Sequence, residues 1–104
     1  MAYNVVVTSD AESNLNDFLF YLIVSKQSPM AAKSVLDDFE KTIKYLSEVA
    51  GSLRYCDDPR LKQLGYRRMN FLAHRYFVLY RIVDDTVIVD SVFHTLQDYE
   101  NRMI

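Results

Sequence analysis

Positively charged side chains are concentrated in one part of this sequence. Six of the twelve Lys and Arg residues fall between positions 60 and 81, a segment with no Asp or Glu. Cations gathered on one surface attract phosphate even in a chain whose net charge is negative, here -2. The segment therefore predicts a local anion-binding surface. Its six cations are Arg60, Lys62, Arg67, Arg68, Arg75 and Arg81.

His94 follows this segment, and histidine is the side chain best suited to proton transfer near neutral pH. Aromatic residues lie among the arginines, and a ring beside a guanidinium suits a stacked base and a phosphate. Structural explanations compete with this one. An Arg81–Asp90 contact on the surface contributes only about 0–1 kcal/mol, and strand arginines also protect an exposed sheet from association.

Three predicted strands carry these side chains. Residues 66–71, 76–83 and 87–93 are rich in β-branched and aromatic residues, which is typical of strands. Asp84 and Asp85 form a two-residue loop between the last two strands, which predicts a β-hairpin.

The hairpin turn predicts which side chains share a face of the sheet. Counting back from the turn pairs Tyr80 with Val89 and then Tyr76 with Phe93, on the face under the helices. On the other face, which we name the open face, Arg81 lies diagonal to Asp90, within reach of an ion pair. The pairs on the open face are Arg81 with Ile88, Leu79 with Asp90, Phe77 with Val92, and Arg75 with His94.

The open face is also predicted to expose apolar side chains. A contiguous apolar patch on a protein surface is normally covered by a partner. The residues concerned are Phe77, Leu79, Val92 and Leu96.

The first half of the chain predicts a strand and two helices. Residues 3–8 form a short β-branched strand, and Ser9 with Glu12 makes a capping box that begins a helix. Apolar residues then recur at helical spacing through about residue 25.

A second helix is predicted to begin where Ser28 precedes Pro29, because proline at the first helical position loses no hydrogen bond. This helix continues to about residue 50, where Gly51 can end it in the left-handed conformation. Ser52 to Arg60 reads as a loop.

The order strand, helix, helix, strand, strand, strand predicts an α+β domain. Its helical hairpin covers one face of an antiparallel-rich sheet, and the whole chain, 1–104, forms this single domain.

Composition excludes several classes of protein. Half of the residues are hydrophobic and 25% are charged, which is ordinary for a globular domain. No apolar run approaches the ~18 residues of a membrane span and no secretory signal is present, so we expect a cytoplasmic protein with no membrane contact. With Cys56 alone and two histidines, we expect no disulfide, no metal site and no cofactor.

The order of elements and several sequence features resemble the RelE/ParE superfamily of toxins from bacterial type II toxin–antitoxin modules. These features are the second strand YRRMNF, the hairpin RYFVLYRIVDDTVIVDSVFHTLQDY and its His-x-x-x-Asp-Tyr ending. The resemblance covers almost the whole chain and is greatest over 61–99. It implies a small toxin held inactive by a cognate antitoxin encoded beside it.

The resemblance leaves the target open. RelE-like members cut messenger RNA in the ribosomal A site without a metal, whereas ParE-like members bind DNA gyrase and have no nuclease chemistry. A third possibility is an inactive relative that only binds its partner. Because the branches share a fold, the fold alone does not choose between them.

For the nuclease branch, the resemblance implies roles for particular residues. His94 would transfer protons, Arg68 and Arg81 would stabilise charge on the phosphate, and Tyr99 would be the functional tyrosine. Further contacts with RNA or phosphate would come from Arg67, Arg75, Lys62 and Asn70.

The chain also departs from the RelE-like pattern. Asn70 stands where a second basic residue is expected, and Arg75 precedes Tyr76 where many relatives have an arginine after that tyrosine. This incomplete set of nuclease residues is what keeps the gyrase-binding alternative open. A nuclease is nevertheless the function that we expect from the sequence.

Overall fold

A computed structural model describes residues 2–97 of the chain. The elements, in chain order, are β1 (Asn4–Val7), α1 (Ser9–Val24), α2 (Pro29–Val49), α3 (Pro59–Gln63), β2 (Arg67–Asn70), β3 (Tyr76–Val83) and β4 (Thr86–His94). The four strands form one sheet in the order β1-β4-β3-β2. β1 runs parallel to β4, and the other two pairings are antiparallel. The predicted α+β class with an antiparallel-rich sheet is confirmed.

The main core lies between the two long helices and one face of the sheet. Val78, Tyr80 and Val89 from the central strands are fully buried against Phe39 and Leu46 of α2. The Tyr80 hydroxyl, which is also buried, donates to the Ala50 carbonyl at 2.8 Å. This bond ties the central strand to the end of α2 and satisfies a polar group that would otherwise be costly to bury.

The predicted start of the first helix is wrong by one residue. Thr8, not Ser9, is the cap, because its hydroxyl accepts from the Ala11 N–H at 3.2 Å while Ser9 is already helical. The reason is tertiary: the backbone N–H of Thr8 donates to Val89 of β4 at 3.0 Å. The predicted start of the second helix is confirmed, since the Ser28 hydroxyl accepts from the Ala31 N–H.

Gly51 does not end α2 in the left-handed conformation, and this prediction is wrong. The chain continues from α2 into a 3-10 turn, Ala50–Ser52. Among the described glycines, Gly65 is the one with a positive φ. Gly51 is small for another reason, since a Cβ there would collide with the Tyr3 hydroxyl.

The sequence analysis contains no helix between the second helix and the second strand, yet α3 begins in the last two residues of the predicted loop and continues beyond it. Asp58 caps it, accepting from the N–H groups of Arg60 at 2.9 Å and Leu61 at 3.3 Å, and Pro59 takes the first position. This is the same cap-and-proline signal that begins α2, placed here among residues typical of turns.

A buried carboxylate holds the β2–β3 loop against α2. Asp38 accepts from the backbone N–H groups of Leu72 and Ala73, both at 3.1 Å, and from His74 Nδ1 at 2.6 Å. Burial alone raises the pKa of Asp38, but the hydrogen bonds from His74 and Ala73 outweigh it, so the net pKa lies below its ordinary value. The carboxylate is therefore ionised when it holds the loop.

Within residues 2–97, none of the helices has the length and apolar character needed to cross a membrane. Over the same residues, no group of three His, Cys, Asp or Glu side chains is placed to hold a metal ion.

We expect Asp38→Asn to lower the free energy of unfolding at pH 7 by about 1–3 kcal/mol, since two partly buried hydrogen bonds from the loop lose their charged acceptor. Because the folded-state pKa is depressed, the wild-type advantage is complete above about pH 4, the unfolded-state value, and is lost as the pH falls further. Urea unfolding at several pH values measures this difference.

The matched control is Asp37→Asn, an exposed neighbour on the same helix, which should change stability by less than about 0.5 kcal/mol. Equal effects of the two substitutions would contradict the assigned role of Asp38.

Candidate functional site

The ladder between β3 and β4 contains one extra residue, and its position decides which side chains share the open face. From the Asp84-Asp85 turn, the register runs as predicted through Tyr80 opposite Val89. The next pair is Leu79 opposite Ser91, so Asp90 is left over as a β-bulge. Beyond the bulge, every predicted pair is wrong by one residue of β4.

Two side chains from the first turns of α1 and its cap satisfy backbone groups at the bulge. The Asp90 carbonyl accepts from the Thr8 hydroxyl at 3.3 Å, and the Val92 N–H donates to Asn14 Oδ1 at 3.1 Å. Thr8 and Asn14 thus supply hydrogen bonds where the strand ladder is interrupted, which makes the bulge a built feature of the fold.

The bulge moves His94 away from the open face. His94 pairs with Tyr76, not with Arg75, and its ring meets the Tyr76 ring edge-on at a centroid distance of 5.2 Å. Tyr76 packs against Phe18 of α1, on the helix side of the sheet. Directly paired residues of an antiparallel ladder point to the same side of the sheet. His94 therefore lies on the helix side, with Tyr76.

The ring of His94 is also engaged in a local turn. Its Nδ1 accepts from the Leu96 N–H at 3.1 Å, and its backbone N–H donates to Gln97 Oε1 at 2.8 Å. A nitrogen that accepts carries no proton, so neutral His94 holds its proton on Nε2.

The open face carries a cluster formed by Arg81, Asp90 and Tyr66. Arg81 Nε donates to Asp90 Oδ2 at 2.9 Å, which confirms the predicted cross-strand contact. The hydrogen bond with Asp90 raises the pKa of Arg81. The pKa of Tyr66 is also raised, mainly by burial and to a smaller extent by the negative charge of Asp90. At neutral pH the Arg81 guanidinium is therefore a cation and the Tyr66 phenol is neutral.

Arg68 lies beside this cluster on the same face. Its guanidinium stacks over the Phe77 ring, 3.7 Å from the centroid, and its Nε donates to Asn70 Oδ1 at 3.3 Å. Arg68 and Asn70 line a groove of about 450 Å³ between β2 and the segment that holds Tyr55 and Cys56. The open face thus presents two arginines and an amide, each held by a neighbour.

The prediction of an exposed apolar patch on the open face is wrong. Phe77 and Leu79 are 0% exposed, because Leu61 of α3 and Cys56 pack on them in a second small core. Val92 is buried on the helix side, since the bulge reverses its direction. Of the four residues, Leu96 alone is exposed, at 84%.

Arg67 points away from the open face and supports the end of α2. Its Nη1 donates to the carbonyl oxygens of Gly51 at 2.9 Å and Leu53 at 2.8 Å, and the guanidinium stacks over the Tyr55 ring at 4.2 Å. With these partners Arg67 is committed to the fold, and a phosphate contact from it stays a prediction.

The remaining predicted site residues are dispersed. Lys62 is exposed on α3, and Arg75 is exposed just before β3, where its carbonyl accepts from the Thr95 N–H at 3.0 Å. Tyr99 lies outside the described residues. The structure therefore brings Arg68, Asn70 and Arg81 to one face, adds Tyr66 and Asp90 to them, and does not bring His94 there.

A signal for the bulge is present in the sequence. In β4 the buried helix-side valines are Val87 and Val89, and the next is Val92, so the alternation of period two breaks at Asp90 and Ser91. Tyr66 has no comparable signal, because only its contact with the Arg81–Asp90 pair marks it.

Known structures share this fold. The chromosomal ParDE toxin–antitoxin system from P. aeruginosa contains a chain that superposes with a TM-score of 0.71 at 17% identity, covering 89% of this chain and 96% of that one. The toxin–antitoxin complex RelBE2 from Mycobacterium tuberculosis gives a TM-score of 0.58 at 21% identity, covering 90% and 99%. At these identities, the likeness is one of fold.

The sequence comparisons identify the family. No curated protein sequence matches this chain. The family of the "ParE toxin of type II toxin-antitoxin system, parDE" matches residues 5–99, nearly the full length. With the fold, the order of elements and this match in agreement, the chain belongs to the ParE toxin family, within the RelE/ParE superfamily of type II toxins.

Proposed function

We propose that this toxin acts by binding DNA gyrase and has no nuclease chemistry of its own. The observation that carries the proposal is the separation of His94 from Arg68 and Arg81 by the sheet. RNA cleavage by a 2′-hydroxyl needs a proton acceptor, a proton donor and a cation around one phosphate. The expected proton-transfer group lies on the other side from the expected cations.

The polar groups of the open face suit binding better than proton transfer. Arg81 is held by Asp90. Tyr66 is a neutral phenol at neutral pH, and its raised pKa moves it further from ionisation. Arg68 is held flat over Phe77. Side chains fixed in this way lose little conformational entropy when a partner docks, which favours a recognition surface.

The membership of the ParE family supports the same choice, since the resemblance described above implies gyrase as the target of ParE-like members. The antitoxin is a second expected partner, because type II toxins are held inactive by one and the solved relatives are toxin–antitoxin systems.

A ribosome-dependent mRNA endonuclease is the second candidate. It is favoured by Arg68, Asn70 and Arg81 on one face and by the fold shared with RelBE2. In that case the charge stabilisation would come from this face, and proton transfer would need a group other than His94.

The end of the helical hairpin is where we propose that the antitoxin binds. Phe77 and Leu79 of the open face are covered, whereas the hairpin end exposes Phe20 at 66% and Met30 at 85%. Tyr21, Ile23 and Val24, each about half exposed, lie beside Phe20 on the last turns of α1. Apolar side chains clustered in this way are normally covered by a protein partner.

For the target, the purified chain is expected to inhibit supercoiling by DNA gyrase, and its induction in a bacterium to stop growth while transcript 5′ ends stay unchanged. His94→Ala should inhibit as well as the wild type. Arg68→Glu should weaken inhibition by about tenfold or more, since a charged contact is reversed.

The matched control is Lys33→Glu, the same charge change on an exposed residue of α2, which should leave inhibition unchanged. New in-frame cleavages on translated messages with intact supercoiling would instead establish the endonuclease. Absence of growth arrest would leave an inactive relative that only binds its partner.

For the antitoxin, Phe20→Asp should weaken binding of the protein encoded beside the toxin gene by about 30-fold, the effect of losing one aromatic anchor worth about 2 kcal/mol. Calorimetry on the purified pair measures this change. Tyr45→Asp is the control, since Tyr45 is an exposed aromatic residue of α2 away from the hairpin end. Equal affinities of the two variants would place the antitoxin elsewhere.

A further inference from the structure

Three polar side chains form a chain of hydrogen bonds where the β2–β3 loop crosses α2. Ser34 and Asp38 are one turn apart on α2, and His74 comes from the loop between them. Ser34 Oγ lies 3.3 Å from His74 Nε2, and His74 Nδ1 lies 2.6 Å from Asp38 Oδ2. This cluster lies outside the open face and has no role in the proposed toxin activity.

The hydrogen bonds fix the direction in which each group donates. Asp38 is ionised and accepts from two backbone N–H groups besides His74. A carboxylate only accepts, so His74 Nδ1 donates to it. Neutral His74 then has its lone pair on Nε2, and the Ser34 hydroxyl donates to that nitrogen. Serine, histidine and carboxylate therefore stand in the order of a nucleophile, its base and the group that orients the base.

Exposure to solvent increases from Asp38 through His74 to Ser34. The Asp38 side chain is 4% exposed and the His74 side chain 30% exposed, while Ser34 lies at the surface. The carboxylate is thus sheltered, and the hydroxyl is open to a substrate.

A shallow cavity of about 330 Å³ adjoins the cluster and is within the size range of small-molecule sites. It is lined by Ser34, Asp37, Asp38, Lys41, Leu72 and His74, among others. Lys41 is the cation of this set, and an ammonium group stabilises the negative charge that develops on a carbonyl oxygen under attack.

We propose that Ser34 is a nucleophilic serine that accepts the acyl group of small activated esters. The Ser34 oxygen forms a bond to the carbonyl carbon while its proton passes to His74 Nε2. The bond from that carbon to the leaving oxygen then breaks, and the leaving oxygen takes the proton from His74. The products are acyl-Ser34 and a free alcohol. Asp38 acts as a positioning residue, and Lys41 stabilises the tetrahedral oxyanion.

The test is covalent labelling of the folded full-length chain with a fluorophosphonate probe, followed by peptide mass spectrometry. The probe reacts by the same attack, with fluoride as the leaving group. We expect an adduct on Ser34 that forms about 100-fold faster than on Ser47, the enhancement typical of a positioned general base. Ser47 is the matched serine on α2, and its hydroxyl donates to the Lys44 carbonyl at 2.6 Å instead of to a histidine.

Two variants separate reactivity from loop support. Ser34→Ala should fold normally, because Ser34 is exposed, and should lose the adduct. His74→Gln should reduce labelling of Ser34 to the rate of Ser47, with folding checked by circular dichroism. Labelling of Ser34 no faster than Ser47, or undiminished in folded His74→Gln, would overturn the proposal and leave the cluster as a loop clasp only.

Discussion

The single extra residue in β4 is the constraint on which the arrangement of this molecule depends. With Asp90 left over from the ladder, the two ends of β4 present opposite sets of side chains to the helices. Val89 and Val92 both reach the main core, although three positions separate them. Thr8, which also caps α1, and Asn14 satisfy backbone groups at this point, so the position of α1 and the bulge support each other.

The bulge has a direct consequence for function. It turns His94 toward Tyr76 and keeps Asp90 on the open face with Arg81 and Tyr66. The basic surface that remains is rigid and polar, over a small core that α3 closes. His94, the expected proton-transfer group, lies on the other side of the sheet from this surface, which is why we favour a gyrase-binding toxin over a ribonuclease.

Much of the fold could be predicted from the sequence, because local signals and burial agree over most of its length. The hairpin turn, the Ser28 cap and the Arg81–Asp90 contact follow from residues close in sequence or from a ladder counted from its turn. The bulge could not be counted in this way, since the counting assumes an uninterrupted ladder. The bulge does leave a signal in the sequence, the broken alternation at Asp90 and Ser91. A strand at the polar edge of a sheet would show the same pattern.

The parts of the site that escaped prediction depend on contacts between distant elements. No local sequence signal marks Asp38, because only the arriving β2–β3 loop makes it a buried acceptor. Arg67 reads as a phosphate ligand until the end of α2 supplies its carbonyl partners. Likewise, α3 is short enough that its cap and proline resemble a turn.

The most direct test of this account is the register of the β3–β4 ladder in solution, read from nuclear Overhauser contacts between backbone protons across the two strands. We predict contacts that pair Tyr76 with His94 and Val78 with Val92, and contacts between the rings of Tyr76 and His94. An uninterrupted ladder that pairs Tyr76 with Phe93 and Val78 with Ser91 would contradict the account, because it would return His94 to the face that holds Arg81.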